Sequence, residues 1–196
     1  MANILSTDKQ IAVIGAIDAE TKLVPAFKVG NRDSETAGAF VADLAGRLRN
    51  RVQISTDGLA AYVGAIDDAF GIAVDYAQII KTYVQDEAKH PERKYSAPRI
   101  TTSEKHVVIG NPDMAQASTS YVERLNATTR LHMRRLTRLT HAFSKKRENF
   151  EAAVALHFAY YNLVMRHSTL RVTPAMEAGI ERSFWSVADL FEAATA

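Results

Sequence analysis

Ser118–Arg138, STSYVERLNATTRLHMRRLTR, is the stretch on which the reading of this chain turns, because its residues sort by face when wound as a helix. At about 100° per residue, Glu123, Asn126, Arg130, Arg134, Thr137 and Arg138 fall on one stripe. Leu125, Met133, Leu136 and Leu139 fall on the other side, with Leu131 the one apolar exception. The leucine side is expected to pack on a core; the other side is a carboxylate heading a line of guanidinium groups. From Arg124 to Arg147 every charged residue apart from the histidines is basic. A solvated helix face ordinarily mixes signs so that i,i+4 pairs form, so these arginines are expected to meet an external anion. Two plainer readings stand beside that one. Ser120 and Glu123 fit the S-x-x-E capping box, and a basic helix surface can be solvated and nothing more.

Working outward, the composition sets bounds. The chain has 196 residues, 47% of them hydrophobic and 23% charged, enough for one domain with a sizeable core. Net charge is only +2, so any preference for anions must come from local clustering. The absence of cysteine excludes disulfides and cysteine-based zinc sites. No apolar run approaches the ~20 residues that cross a bilayer, and MANILSTDKQ lacks a signal-peptide pattern. A reducing, cytoplasmic setting without membrane contact is the expectation. HExxH, a P-loop and G-x-S-x-G are all missing, which leaves zincin, nucleotide-hydrolase and α/β-hydrolase chemistry with little support. His157 lies in an apolar stripe, where a satisfied core histidine is expected.

Upstream of the basic stretch, the apolar runs Ile11–Ile17 and Leu23–Val29 read as two strands joined by a polar connection. Pro25 confines the second to an edge or a bulge. Asp18, at the end of the first run, reads locally as a turn residue. Ser34 is expected to cap a helix to about Arg49 that buries Ala37, Phe40, Val41, Leu44 and Leu48. Arg51–Ser55 reads as a buried strand running into Thr56-Asp57-Gly58, followed by a helix over Leu59–Phe70 and a strand near Ala73–Ile80. Asp57 therefore sits where a strand hands over to a helix, the position at which open α/β sheets bind ligands. An Asp-Gly turn or a helix cap are its structural alternatives. Gln85–Ala117 is polar and proline-containing, with a strand suggested at Lys105–Ile109. Downstream, a helix at about Glu148–Arg166 carries Phe150, Val154, His157, Phe158, Tyr161 and Met165 at core spacing. A short amphipathic tail lies around Trp185–Glu192. The alternation of strands and helices argues for an α/β layer structure with a mixed sheet.

Four segments together resemble the insertion-sequence transposases of the DDE type. They are AIDAETKLVPAFKVGNRD, STDGLAAY (Ser55–Tyr62), YVERLNATTRLHMRRLTRLTHAFSKK (Tyr121–Lys146) and AYYNLVMRHSTLRVTPAMEAG (Ala159–Gly179). The resemblance runs in family order from about Ile11 to the C-terminus. It implies an RNase H-like mixed sheet flanked by helices, spanning residues 1–196. Sheet and catalytic helix would fill about 10–146 and a C-terminal helical extension 147–196. It further implies two divalent ions, Mg²⁺ or Mn²⁺, held by two aspartates and a glutamate. By motif match Asp57 is the second aspartate and Glu123 the glutamate, both catalytic and metal-binding. Hard cations take oxygen ligands, and two ions about 4 Å apart stabilise the attacking and leaving oxygens of a phosphodiester. Arg130 is placed like the residue that contacts transposon-end phosphate; Arg124, Asn126, Arg134, Arg138, Lys145 and Lys146 extend the implied DNA surface.

The first aspartate has no motif match. The family carries it on the first of three antiparallel strands, within a D-E-x-W segment that this sequence lacks. Asn3–Thr7 is a makeshift candidate for that strand. Asp18 matches a position closing the second strand and is the fallback ligand only. The resemblance therefore implies a frame shortened at its N-terminus, without the family's DNA-binding region and inactive in isolation. The implied partners are insertion-sequence ends and target DNA, with a second copy or an intact transposase. A non-enzymatic DNA-binding remnant acting as a regulator is one alternative. An RNase H-like nuclease is another, against which the FSKK and TPA motifs count.

Overall fold

The two apolar runs nearest the N-terminus do become strands, in an antiparallel sheet. In the computed structural model, which describes residues 2–3, 12–84, 99–136, 141–142 and 144–195, the chain forms two compact units. One joins Met1–Arg47 to Ser120–Ala196, and the other is Leu48–Thr119. The architecture is mixed α/β, with one three-stranded sheet in each unit among the described residues. No helix among those residues is long and apolar enough to cross a membrane.

In the first unit β1 (Ala2–Asn3), β2 (Ala12–Gly15) and β3 (Phe27–Gly30) pair antiparallel in that order, Ala2 opposite Val13 and Val13 opposite Val29. The third strand begins at Phe27 rather than at Leu23. Pro25 has no N–H to give a ladder. The backbone of Val24 is taken by a side chain, the N–H donating to Asn162 Oδ1 at 3.0 Å and the carbonyl accepting from Asn162 Nδ2 at 2.9 Å. Next comes α1 (Ser34–Arg47), which buries Ala37, Phe40, Val41 and Leu44 as the periodicity requires. Its cap is Asp33, not Ser34: the Asp33 carboxylate accepts the Thr36 N–H at 2.8 Å and its carbonyl accepts the Ala37 N–H. A carboxylate there meets the unpaired N–H groups and the positive helix end together.

The remaining helices complete that unit. They are α3 (Ser120–His132), α4 (Arg147–Leu163), the short α5 (Pro174–Glu177) and α6 (Val187–Thr195). Leu125, Met133 and Leu136 meet Phe150, Val154, Phe158 and Tyr161 of α4 and Val13, Val24 and Val29 in one core. Phe27 and Phe158 stack at 5.0 Å between ring centroids. So α4 is built into the same core as β2, β3 and α3. Thr173 caps α5 through a bond from the Met176 N–H, with Pro174 at its first position. Ser186 and Asp189 cap α6 reciprocally.

In the second unit β4 (Val52–Asp57), α2 (Ala61–Phe70) and β5 (Val74–Val84) form a parallel crossover, and β6 (Arg99–Ile109) returns antiparallel to β5. The strand expected near Ala73–Ile80 runs on to Val84, and the one at Lys105–Ile109 begins at Arg99. Each lengthens because the other supplies its ladder, a pairing that local composition does not encode. Contrary to expectation β4 is not buried, for Gln53 is exposed and the other five positions are half-buried. Gln53 instead exchanges two bonds with the Asp113 backbone, at 3.0 and 2.7 Å, strapping the segment after β6 to the sheet.

Candidate functional site

Asp57 is the last residue of β4 and half-buried. Its Oδ1 accepts the Leu59 N–H at 3.2 Å, the side-chain turn typical of aspartate two residues before the acceptor's partner. It does not cap α2, whose N-cap Ala60 has no side-chain bond. Gln78 of β5 donates to the Leu59 carbonyl at 3.3 Å, so the turn that aims Asp57 is held from the neighbouring strand. Beside it, Thr56 Oγ1 and the Tyr76 hydroxyl lie 2.8 Å apart. Tyr76 is fully buried, and burial, followed by the nearby Asp57 charge, raises its pKa. Nothing in its sequence context marked Tyr76; it looked like any strand aromatic.

Glu123 is exposed in the first turn of α3, where a negative charge suits the helix N-terminus. It belongs to the other unit from Asp57. On its face of α3 follow Asn126, half-buried, and Arg130, exposed. The stripe does not continue as expected. α3 ends at His132, and Arg134–Leu136 forms a separate 3-10 turn. Within α3 the buried Thr129 returns its hydroxyl to the Leu125 carbonyl at 2.8 Å. Past His132, the Leu136 N–H bonds to the Met133 carbonyl. Residues three apart eclipse in a 3-10 turn, so Met133 and Leu136 both remain buried while Arg134 and Arg135 face solvent. Arg134 is thus off the Glu123 stripe, and Thr137, Arg138 and Leu139 lie outside the described residues. Leu131, the apolar exception of the sequence pattern, is 83% exposed.

Arg124, Lys145 and Lys146 are all exposed, Lys146 being the residue before α4. Arg147 is engaged, donating to Glu151 at 2.7 Å and to the Val29 carbonyl at 2.8 Å. Arg135 donates to Ser144 Oγ at 2.7 Å. Asp18 is spoken for as well: its Oδ2 accepts the Thr21 N–H at 2.9 Å and the Thr21 hydroxyl at 2.5 Å. Burial pushes the Asp18 pKa up, but the bonds from Thr21 and Glu20 and the Lys22 charge outweigh it, and the net shift is downward. These are the contacts of a residue that closes the β2–β3 connection.

Two histidines bury a ring nitrogen without a partner among the described residues. His157 of α4 is not satisfied: its Nε2 is buried without a hydrogen-bond partner among the described residues. Burial, and then the neighbouring His132 with ring centroids 6.1 Å away, depresses its pKa to about 4. His167 likewise buries Nδ1 without a partner among those residues. Its pKa is lowered by burial first, and then by Lys22 and Arg124.

Asp57 and Glu123 offer the hard oxygen donors that a divalent ion of the magnesium kind prefers. Within each unit, no three histidine, aspartate or glutamate residues among those described group closely enough to hold a metal. Neither a family model, nor a curated protein, nor a solved structure matches the chain.

Proposed function

We propose that this chain is the catalytic core of a DDE-type insertion-sequence transposase with an RNase H-like fold, a family that acts on DNA phosphodiesters, here lacking its first catalytic aspartate and so inactive in isolation. The observation that carries the reading is where the acidic motif residues fall along the fold. A three-stranded antiparallel meander and a helix come first; the next strand then ends on Asp57 and pairs parallel with its successor. A later helix holds Glu123 in its first turn with Asn126 and Arg130 on the same face. β1 at Ala2–Asn3 makes a third antiparallel strand, in keeping with the three that the family has before its first helix, and neither residue is acidic. Asp18, with Oδ2 already holding two donors, suits the turn better than a metal.

By motif match Asp57 and Glu123 are each an ion ligand, and the ions would supply charge stabilisation to the attacking and leaving oxygens when bound. The side chain of Asp57 is aimed by its own turn and by Gln78. Arg124, Arg130, Arg134, Lys145 and Lys146 neutralise backbone phosphates, and Asn126 adds a polar contact beside Glu123. Calorimetry with Mn²⁺ tests the reading: Asp57→Asn and Glu123→Gln should each abolish ion binding. Unchanged affinity in both would sink the enzyme reading. Duplex binding that survives while the wild type takes up no ion would leave the chain a DNA-binding regulator.

A further inference from the structure

Beyond Gly179 the chain carries none of the segments on which the family resemblance rests, yet it forms a cavity of its own. Helix α6 is fixed at its start by the reciprocal bonds of Ser186 and Asp189, at 2.6 and 3.2 Å. Along its length it is anchored by Leu190, buried while its neighbours are exposed. Asp189, Glu192 and Ala193, three and four residues apart, share another side of the helix. Together with Ser183, Phe184 and Trp185 they line a cavity of about 520 Å³ that opens to solvent. Small-molecule sites occupy about 300–1,000 Å³, so the space suits one modest ligand.

The lining is chemically one-sided. It has two aromatic rings and two carboxylates, and no cation. Among the described residues neither Asp189 nor Glu192 forms an ion pair. What Asp189 Oδ2 accepts is the uncharged Ser186 N–H, which leaves its negative charge uncompensated. Two arginines adjoin this stretch without lining the cavity. Arg182 precedes Ser183 in the chain and is exposed. Arg166, from the turn after α4, places its guanidinium carbon 4.4 Å from the centroid of the Phe184 ring. That contact is a guanidinium resting on an aromatic face. Trp185, the stronger π partner, holds no such cation among the described residues.

We propose that the cavity between residues 183–185 and α6 binds an organic cation, a guanidinium or ammonium on an aliphatic stem. The charged end meets Asp189 and Glu192, while the stem lies along the Trp185 and Phe184 rings. A guanidinium is only weakly hydrated, so it leaves water for such a site at less cost than a compact, strongly hydrated ion. The site shares no residue with Asp57, Glu123 or the basic stretch, and stands whether or not the chain is a transposase. The cation has two possible sources, a free amine or the arginine or lysine side chain of a protein.

Trp185 is the only tryptophan of the chain, so its fluorescence reports on the cavity directly. The full chain is titrated with n-butylguanidinium, with its neutral isostere n-butylurea, and with a short blocked peptide carrying one arginine. The guanidinium should change Trp185 emission saturably and the urea should not. Asp189→Asn keeps an acceptor for the Ser186 N–H, and exposed Glu192 takes no part in the cap, so both variants should fold. Each should weaken the guanidinium by about tenfold, the worth of one bond to a charged group. A peptide that binds more tightly than n-butylguanidinium assigns the site to a protein side chain; one that binds equally or less tightly assigns it to a free cation. No saturable change with either cationic probe overturns the proposal. So does n-butylurea binding as well as the guanidinium, or an affinity unchanged in both variants. None of these results touches the Mn²⁺ test of Asp57 and Glu123.

Discussion

Asn162 does at residue scale what a strand partner does elsewhere, giving and receiving one bond with the Val24 backbone across 138 positions of sequence. Asn162→Ala would leave an N–H and a carbonyl unpaired in a half-buried place. At about 1 kcal/mol per bond, the expected loss of stability is roughly 2 kcal/mol, read from urea unfolding. His157 makes a prediction about pH. Its folded pKa of about 4 lies below the ordinary value of 6.5, so the unfolded chain takes up the proton first. Stability should be full above pH 6.5 and decline as pH falls through 4. His167 shifts the same way and adds to that decline. His157→Phe should flatten the curve in this window without abolishing it; an identical profile for the variant would mean His157 is solvated. Neither residue was legible in sequence. Nothing near Asn162 in the sequence marks Val24 as its partner, and a histidine at core spacing carries no mark of whether its nitrogens find partners.

Among the elements, the β4–β5 pair is tied at its base by Arg51. The guanidinium donates to both oxygens of Asp75, at 2.8 and 2.7 Å, and to the carbonyls of Ile72 and Val74. The Arg51 bonds to Asp75, joined by one from the Asn111 N–H and by the guanidinium charge, bring the Asp75 pKa down to about 2. Gly110 follows β6 with φ +70°, and a Cβ there would run into the Asp75 carboxylate, the Arg51 guanidinium and the Val74 carbonyl. Gly110→Ala should therefore cost about 1–2 kcal/mol from the left-handed backbone alone, with the clash in addition. A thermal melt should show the drop, and an unchanged midpoint would refute this placement of the turn. The helical elements were the most legible. The buried faces of α1 and α4 and the leucines behind Glu123 sit where a 3.6-residue period puts them. The end of α3 was not, because the 3-10 turn depends on Met133 and Leu136 both meeting the core.

For the whole molecule the question is how strongly clustered charge acts when the net charge is only +2. Arg124, Arg130, Arg134, Lys145 and Lys146 are exposed, and nothing acidic separates them along the chain. If about four of them meet phosphates, log K against log[salt] should have a slope near −3.6. Replacing Arg130 and Arg134 by alanine should bring it to about −1.8. Equal slopes for wild type and double variant would show a solvated surface, and the DNA-binding part of the proposal would go with it. The break after His132 divides this charge between the α3 face and the turn beyond it. The two arginines are therefore best replaced singly as well as together.

Sequence alone determined the mixed α/β class, the order of most elements, the buried face of each long helix and the places of Asp57 at a strand end and Glu123 in a first helical turn. Each of these is local: a period of 3.6 or 2, a turn residue, a charge on a helix face. Tertiary structure alone decided which backbone groups Asn162 completes and how far β5 and β6 extend. It also decided that Asp33 caps α1, that α3 stops at His132, and that the Lys22 ammonium lies over the Tyr121 ring. Those outcomes depend on partners far away in sequence, because a hydrogen bond, a ladder or a charge pair has no energy until the fold brings its second member within reach.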